Sequence, residues 1–290
     1  MMTLLTRTLG FSRTTAVGLG CMGLSIEGKP AREQAVQTIH DALDAGCRHL
    51  DTAWSYYASG GPEQTNENLV REALASWKGP KDEVLVATKV GHFRNFDRDG
   101  KPGWGVDGRP ETLIRRAKES ARALGVDTID LLYMHRPDPD VPYQESIEAM
   151  AQLVHEGVAR QIGISNADLR QIDLARGVLG KDLVAVQNQF SPLFRDTRKV
   201  LDYTGQVNLA FVCWSPLGGF RKPKDESKFA PFRQVAQAHG VSFQQVVLAW
   251  ELAQGEHVFV LPGAHRPQTI LDSLKAGELK LSRDELATLD

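Results

Sequence analysis

The chain has 290 residues, with 34 positive and 36 negative side chains and a net charge of −2. Hydrophobic residues make up 42% of it and charged residues 24%, a balance that excludes wholesale disorder and leaves room for one or two domains. A nearly neutral chain has no overall field for a nucleic-acid backbone or an anionic membrane, so any anion site must be local.

The cysteines and apolar runs narrow the class of protein further. Cys21, Cys47 and Cys213 are widely spaced and odd in number, which excludes a disulfide framework and a paired-cysteine zinc site. The longest apolar runs are too short for a membrane span, and the first ten residues do not form an export signal. We therefore expect a cytoplasmic protein without a metal site.

Short β-branched runs alternate with longer segments of helical period along the chain. The predicted strands cover residues 15–20, 48–51, 84–89, 129–135, 159–165, 183–187, 208–214 and 258–261. Eight such units, with no linker rich in Pro, Gly or Ser between them, close naturally into a (β/α)₈ TIM barrel. The sequence thus predicts a single α/β domain over residues 1–290.

Several helices have recognisable ends. One is predicted over residues 30–46 and another over 110–125, each opening with proline, carrying an apolar stripe and ending at glycine. Ser242 and Ser282 each stand three residues before Gln or Glu, which is the spacing of a capping box. Two further helices are predicted to begin there.

Three segments lie outside the barrel pattern. Residues before 15 are predicted to form a hairpin or lid under the barrel floor, and 102–108 and 218–225 are predicted to be long loops on the opposite face. Residues 18–23 match the dinucleotide fingerprint GxGxxG. Because the next helix does not open directly after it, a tight βα turn is favoured over a Rossmann fold.

Polar residues stand at the carboxyl ends of the predicted strands. They are Asp51, Lys89, His135, Ser165 with Asn166, and Gln187. In a barrel these ends share one rim, where barrel enzymes assemble their active sites from several strands. Each of these residues alone could mark a solvated strand end. Polar residues at five strand ends together indicate a site.

The residue types at this rim suit proton transfer to a carbonyl oxygen. Tyr56 lies five residues beyond Asp51, close enough for its phenol to return to the rim. An ammonium from Lys89 at ~4 Å in an effective dielectric of ~20 would contribute about 4 kcal/mol, enough to lower the phenol pKa by about three units. His135 could then hold the substrate oxygen. The simpler alternatives are a structural ion pair between Lys89 and Asp51, a surface tyrosine and a histidine that caps a strand.

Carbonyl reduction also needs a hydride, and therefore a nicotinamide beside the phenol. Trp214 is expected to stack on that ring, and Ser165, Asn166 and Gln187 to bind its carboxamide. The segment 215–219 supplies backbone amides for a pyrophosphate. The segment 263–267 leads into a helix and brings Arg266 to a phosphate.

These motifs together resemble the aldo-keto reductase superfamily. The matching segments are Asp51-Thr52-Ala53 with Tyr56, Thr88-Lys89, Met134 to Asp138, Gly163 to Asn166, Val186 to Asn188, and Trp214 to Gly218. They occur in the family's order between Gly18 and Ser273, and residues 20–25 (GCMGLS) are similar to the microbial and plant branches.

The resemblance implies an NADP(H)-binding barrel without a Rossmann domain. It assigns Asp51, Tyr56, Lys89 and His135 to a catalytic tetrad with Tyr56 as general acid or base; Tyr57 stands where the family usually has glycine. It assigns cofactor binding to Gly20, Cys21, Met22, Asp51, Ser165, Asn166, Gln187, Trp214, Ser215, Pro216, Leu217, Gly218, Gly263, His265, Arg266, Thr269, Asp272 and Ser273.

The chain departs from the family at the phosphate end. Many relatives have Lys-Ser where this chain has Gly263-Ala264, an arginine at Thr269, and an asparagine at Ser273. Arg266 is the remaining local cation. We expect NADPH/NADP⁺ as the cofactor, with NADH left open.

The expected function is reversible hydride transfer between NADP(H) and a small aldehyde or ketone. Aromatic residues at Trp54, 93–104 and Phe220 suggest a planar or apolar substrate, although ordinary loop packing explains them equally well. We expect a monomer or weak oligomer without a nucleic-acid or membrane partner. The alternatives are a Schiff-base lyase with Lys89 as nucleophile, and a cofactor-bound sensor or auxiliary subunit with little turnover.

Overall fold

The computed structural model describes residues 4–219 and 226–290, and its centre is a barrel of eight parallel strands. The strands of the chain are β1 (Thr6–Leu9), β2 (Ser12–Thr15), β3 (Leu19–Gly20), β4 (His49–Asp51), β5 (Leu85–Val90), β6 (His92–Phe96), β7 (Pro102–Val106), β8 (Leu131–Met134), β9 (Ile162–Ser165), β10 (Leu183–Gln189), β11 (Ala210–Trp214) and β12 (Val258–Leu261). The barrel sheet runs in the order β12-β11-β10-β9-β8-β5-β4-β3. Bridges from Val17 to Val260 and from Gly20 to Gly263 close it. The (β/α)₈ prediction and its eight strands are confirmed.

Helices lie between and after the barrel strands. They are α1 (Arg32–Asp44), α2 (Thr65–Ser76), α3 (Pro110–Leu124), α4 (Tyr143–His155), α5 (Leu169–Leu179), α6 (Arg198–Gln206), α7 (Ala230–His239), α8 (Phe243–Leu252), α9 (Pro267–Leu274) and α10 (Arg283–Leu289). Ser242 and Ser282 cap α8 and α10 as predicted, because each hydroxyl accepts a backbone N–H three residues on. α1 begins at Arg32, two residues later than predicted. No helix within 4–219 or 226–290 is long and apolar enough to cross a bilayer.

The barrel interior is apolar at its centre and polar at the carboxyl rim. Every residue of β8, β9 and β12 is buried, as expected for parallel strands covered by helices outside and side chains inside. At the rim the buried residues include Asp51, Lys89, His135 and Ser165. The strand ends therefore bring together residues that are far apart in the sequence.

The hairpin of β1 and β2 covers the amino end of the barrel, as predicted. The Arg7 guanidinium donates hydrogen bonds to the carbonyl oxygens of Gly255 at 2.7 Å and Leu252 at 3.0 Å, which ties the hairpin to the far end of the chain. A cavity of about 950 Å³ at this end is lined by Arg7, Phe11 and His257 among others. It contains none of the rim residues named above.

The prediction of a loop over residues 102–108 is wrong. Residues 102–106 form β7, which pairs antiparallel with β6 next to the rim. Two glycines of β7 lie close to side chains of β6: a Cβ on Gly105 would lie 2.4 Å from the ring of Phe93, and one on Gly103 would lie 2.4 Å from the side-chain oxygen of Asn95. The second predicted loop, 218–225, falls mostly outside the described residues, as does Phe220.

The GxGxxG segment forms a tight turn, as favoured. Residues 22–24 make one turn of 3₁₀ helix, and α1 opens only at Arg32. Gly18 has a packing role, because a Cβ there would lie 2.8 Å from a methyl of Leu261 and 2.9 Å from the carbonyl oxygen of His49.

Gly163→Ala tests the packing inside the barrel. A Cβ at this position of β9 would lie 2.1 Å from the buried ring of Tyr133, so overpacking is expected to lower the free energy of unfolding by about 2 kcal/mol. Gly177→Ala in α5 is the control, since a Cβ there meets no atom within 4 Å and is expected to stabilise by about 1 kcal/mol. Urea unfolding measures both; equal effects would contradict this packing.

Candidate active site

Lys89 is the centre of the polar rim. It lies in β5 with Asp51 at the end of β4 beside it, and Tyr56 returns on the loop that follows β4. The Lys89 ammonium donates to the carboxylate of Asp51, to the carbonyl oxygen of Thr52 at 2.8 Å and to the phenol oxygen of Tyr56 at 3.2 Å. All three ammonium protons therefore have acceptors, and all four residues are buried.

The ammonium of Lys89 stays charged although it is buried. Burial lowers its pKa, but Asp51 and Tyr56 raise it by more, so the pKa lies above its ordinary value. A buried ammonium next to a phenol oxygen stabilises the phenolate that remains when the phenol gives up its proton. The arrangement is therefore suited to proton donation from Tyr56.

The phenol pKa itself differs from the sequence prediction. Burial raises the pKa of Tyr56 by more than the Lys89 charge lowers it, so the pKa lies above the ordinary value for tyrosine. The sequence predicted a lowered pKa because it reveals the cation but not the degree of burial. Tyr56 is consequently protonated at neutral pH and able to act as an acid.

Gln187 supports the carboxylate of Asp51. Its side-chain amide nitrogen donates to the second oxygen of Asp51 at 2.9 Å, and its backbone carbonyl oxygen accepts from the hydroxyl of Ser165 at 2.7 Å. The predicted contact of Gln187 with a carboxamide stays a prediction: the side chain is buried, and one of the two N–H groups of its amide is bonded to Asp51. Its observed role is to orient Asp51.

His135 forms the other side of the pocket around Tyr56. The two rings pack edge to face with centroids 5.7 Å apart, and Asn166 donates from its amide to the His135 carbonyl at 3.0 Å. Burial, His92 and the nearby cations hold the His135 pKa well below its ordinary value. A neutral imidazole in this position can make a hydrogen bond to a substrate oxygen.

The two adjacent tyrosines have different partners. The hydroxyl of Tyr57 accepts the backbone N–H of Arg94 at 3.3 Å, and its ring packs edge-on against Trp54. Only Tyr56 of this pair contacts Lys89. The geometry thus favours Tyr56 over Tyr57 as the candidate proton donor.

The hairpin of β6 and β7 places His92 and Arg94, which were not predicted as site residues, beside the predicted aromatic Trp104. His92 stacks on Trp104 with centroids 4.9 Å apart and meets His135 edge-on at 4.6 Å. Arg94 lies over the same tryptophan at 4.1 Å and pairs with Glu27 at 2.5 Å. The alternation of side chains on either side of residues 97–101 could have predicted this hairpin. The proline and the glycines of β7 made that alternation hard to recognise.

The residues expected to hold a nicotinamide form a surface beside this pocket. Trp214, at the end of β11, is half-buried, and its indole N–H has no hydrogen-bond partner among the described residues. The following loop adopts positive φ at Ser215 (+51°), Gly218 (+90°) and Gly219 (+78°), with Pro216 buried and Leu217 half-buried. Such backbone can turn its amides toward an anion.

A second loop approaches from β12. Gly263, His265 and Arg266 are exposed, and α9 opens at Pro267. A Cβ on Gly263 would meet only the carbonyl oxygen of Gly20, at 3.8 Å, so the space above it is open. An exposed arginine at a helix start suits a phosphate group.

Three residues predicted to bind the cofactor, Asp272, Ser273 and Cys21, have partners within the protein or are buried, and their contact with a cofactor stays a prediction. Asp272 accepts from Ser242 at 2.5 Å and Gln245 at 2.6 Å, so it joins α9 to α8. Ser273 is buried, and its hydroxyl donates to the carbonyl of the half-buried Thr269 at 3.0 Å. Hydrogen bonds within the protein therefore account for both side chains. The thiol of Cys21 is also buried, whereas Met22 packs beside Tyr56.

The family model for the aldo/keto reductase family matches residues 16–290. The chain belongs to the aldo/keto reductase family. It is 30% identical to pyridoxine 4-dehydrogenase of Escherichia coli, over 98% of this chain and 97% of that enzyme. Among solved structures, the glycerol dehydrogenase of Gluconobacter oxydans is 27% identical with a TM-score of 0.83, covering 99% and 94% of the two chains. An aldo/keto reductase of Klebsiella pneumoniae in complex with NADP and acetate is 26% identical with a TM-score of 0.81, covering 98% and 94%.

One further carboxyl group of this aldo/keto reductase lies behind Lys89. Glu67 in α2 is fully buried, and one of its oxygens accepts from Thr88. Burial raises the pKa of Glu67 to about 7. The carboxyl group of Glu67 therefore ionises near neutral pH although it lies inside the core.

Glu67→Gln tests this assignment through the pH dependence of stability. The unfolded carboxyl ionises near 4.5 and the folded one near 7, so its contribution is fully present below about pH 4.5 and is lost as the pH rises through 7. From pH ~5 to pH ~8 the wild type is expected to lose up to about 3 kcal/mol relative to the variant. Urea unfolding at both pH values measures the difference.

The control for this comparison is Glu72→Gln, an exposed carboxylate on the same helix that pairs with Arg32. This variant is expected to follow the wild type at both pH values. Parallel pH profiles for wild type and Glu67→Gln would show that the buried carboxyl is already ionised at pH ~5.

Proposed function

We propose that this protein reduces small aldehydes or ketones to alcohols with NADPH, and catalyses the reverse oxidation. The observation that carries the proposal is the hydrogen bond from the Lys89 ammonium to the Tyr56 phenol oxygen at 3.2 Å, beside a neutral His135. This geometry leaves the phenol proton free to face a substrate oxygen. Membership of the aldo/keto reductase family supports the same chemistry.

Each member of the proposed tetrad has a distinct task. Tyr56 donates its proton to the carbonyl oxygen as hydride reaches the carbonyl carbon, and the phenolate that remains is stabilised by Lys89. Asp51 keeps Lys89 charged and oriented, and Gln187 holds Asp51. His135 positions the substrate oxygen between its ring and the phenol. For alcohol oxidation the proton returns to Tyr56.

The residues around Trp214 fit a nicotinamide cofactor. Bound NADPH would supply the hydride, and the Klebsiella relative is a complex with NADP. Here Trp214 would stack on the nicotinamide, with Asn166 near its carboxamide and the loop 215–219 at the pyrophosphate. The orphaned indole N–H and the open space at Gly263 are consistent with a ligand along this surface.

The Schiff-base alternative is disfavoured by the same geometry. A lysine nucleophile must be neutral and accessible to substrate. Lys89 is buried, donates to three acceptors and has a raised pKa. The oligomeric state and the cytoplasmic location remain predictions.

Tyr56→Phe tests the proton donor. NADPH consumption with a panel of small aldehydes is expected to fall at least 100-fold in kcat, on the order of the usual effect of general acid catalysis. Tyr57→Phe is the matched control, since its hydroxyl bonds the hairpin rather than Lys89. Its rate is expected to stay within about threefold of the wild type. Equal loss in both variants, or in neither, would refute the assignment of Tyr56.

Arg266→Gln tests the predicted preference for NADPH. If the 2′-phosphate lies against this exposed guanidinium, the Kd for NADPH is expected to rise about tenfold and the Kd for NADH to stay the same. Fluorescence titration of the two cofactors measures this directly. The outcome that contradicts the assignment is an equal change for both cofactors, or no change for NADPH.

A further inference from the structure

Arg136 is a cation at the rim to which the proposed mechanism gives no task. It follows His135 directly, where the chain leaves β8, and its guanidinium carbon lies 5.8 Å from the centroid of the Trp214 ring. The side chain is half-buried. Within residues 4–219 and 226–290 its guanidinium makes neither a hydrogen bond nor an ion pair. It lies over the ring of Trp214.

The carboxylates near this rim are already used by other groups. Asp51 is bound by Lys89 and Gln187, and Glu27 pairs with Arg94. Asp138, two residues beyond Arg136, accepts the backbone N–H groups of Gly108 at 2.8 Å and Asp140 at 3.0 Å. The described part of the pocket thus has positive charge that no neighbouring carboxylate neutralises.

The position of Arg136 places this charge near the reacting atoms. Burial lowers the pKa of Arg136, while the negative charge that Tyr56 would carry as phenolate raises it, so the two groups interact electrostatically. Arg136 also contributes to the lowered pKa of His92 and of His135. A cation that has lost part of its water without gaining an anion is costly, and an anionic ligand would offset that cost.

We propose that Arg136 binds a carboxylate on the carbonyl substrate, so that the enzyme prefers oxo acids to neutral aldehydes and ketones. A guanidinium can hold a carboxylate through two parallel hydrogen bonds, which fixes orientation as well as charge. With its carboxylate at Arg136, the substrate would present its carbonyl to Tyr56 and His135. This inference rests on the proposed function and identifies a substrate class for the same site.

The same guanidinium could instead serve a phosphate of the cofactor, and the experiment separates these two sources. Wild-type kcat/KM is measured for 3- and 4-carboxybenzaldehyde and for their methyl esters, which have nearly the same shape without the charge. We expect the acid to be preferred over its ester by about tenfold or more for at least one of the two isomers. High salt is expected to reduce this preference. These wild-type measurements need no variant.

Substitutions then assign the preference to Arg136. In Arg136→Gln the acid-to-ester ratio is expected to approach one, mainly through KM for the acid, and Arg136→Lys is expected to restore part of it. Arg94→Gln is the matched control, because it removes a rim cation that is already paired with Glu27. Its ratio is expected to equal that of the wild type.

The inference is overturned by a wild-type ratio near one for both isomers, or by an unchanged ratio in Arg136→Gln. An equal fall of the acid-to-ester ratio in Arg94→Gln also overturns it, because that result would indicate a general electrostatic field. So does a rise in the KM for NADPH in Arg136→Gln with an unchanged acid-to-ester ratio, which would assign the guanidinium to the cofactor. Turnover of no aldehyde at all would refute the proposed function itself, whereas turnover of the neutral compounds alone refutes only the oxo-acid preference.

Discussion

A charged ammonium inside a barrel must be surrounded by acceptors, and Lys89 meets this requirement with a carboxylate, a backbone carbonyl and a phenol. Leaving any of its protons without an acceptor would cost stability. This need for acceptors constrains the positions of Asp51 and of the loop that carries Tyr56. Gln187 in turn orients Asp51 through a hydrogen bond. The same three bonds that make the buried charge tolerable therefore place a phenol where a positive charge stabilises its conjugate base.

The barrel and the convergence of the tetrad could be predicted from the sequence because both depend on strand periodicity. Parallel strands buried on both faces are continuous apolar runs, and polar residues at their carboxyl ends stand out against them. The hairpin of β6 and β7 could not be predicted in the same way. Its glycines at 103 and 105 pack against side chains of the opposite strand, and a cross-strand contact of this kind has no local signature.

The roles of individual polar groups also could not be predicted from the sequence where those roles depend on burial. Gln187 is buried and donates to Asp51, and Ser273 is buried and donates to the Thr269 carbonyl; the sequence shows neither bond. The phenol pKa of Tyr56 was predicted in the wrong direction for the same reason. Arg136 and the His92–Trp104 stack give the same rim a cationic and aromatic wall. The proposed proton donor and the proposed substrate wall thus come from neighbouring strand ends of one barrel.

The most direct test of this account is an NMR titration of the protein with its tyrosines labelled with ¹³C at Cζ. The titration compares wild type with Lys89→Met, and the Tyr56 resonance is assigned by its absence in Tyr56→Phe. The account predicts that the Tyr56 resonance titrates above the ordinary tyrosine pKa in the wild type and at still higher pH, or not at all, in Lys89→Met. An unchanged titration in the variant would show that the ammonium does not act on the phenol.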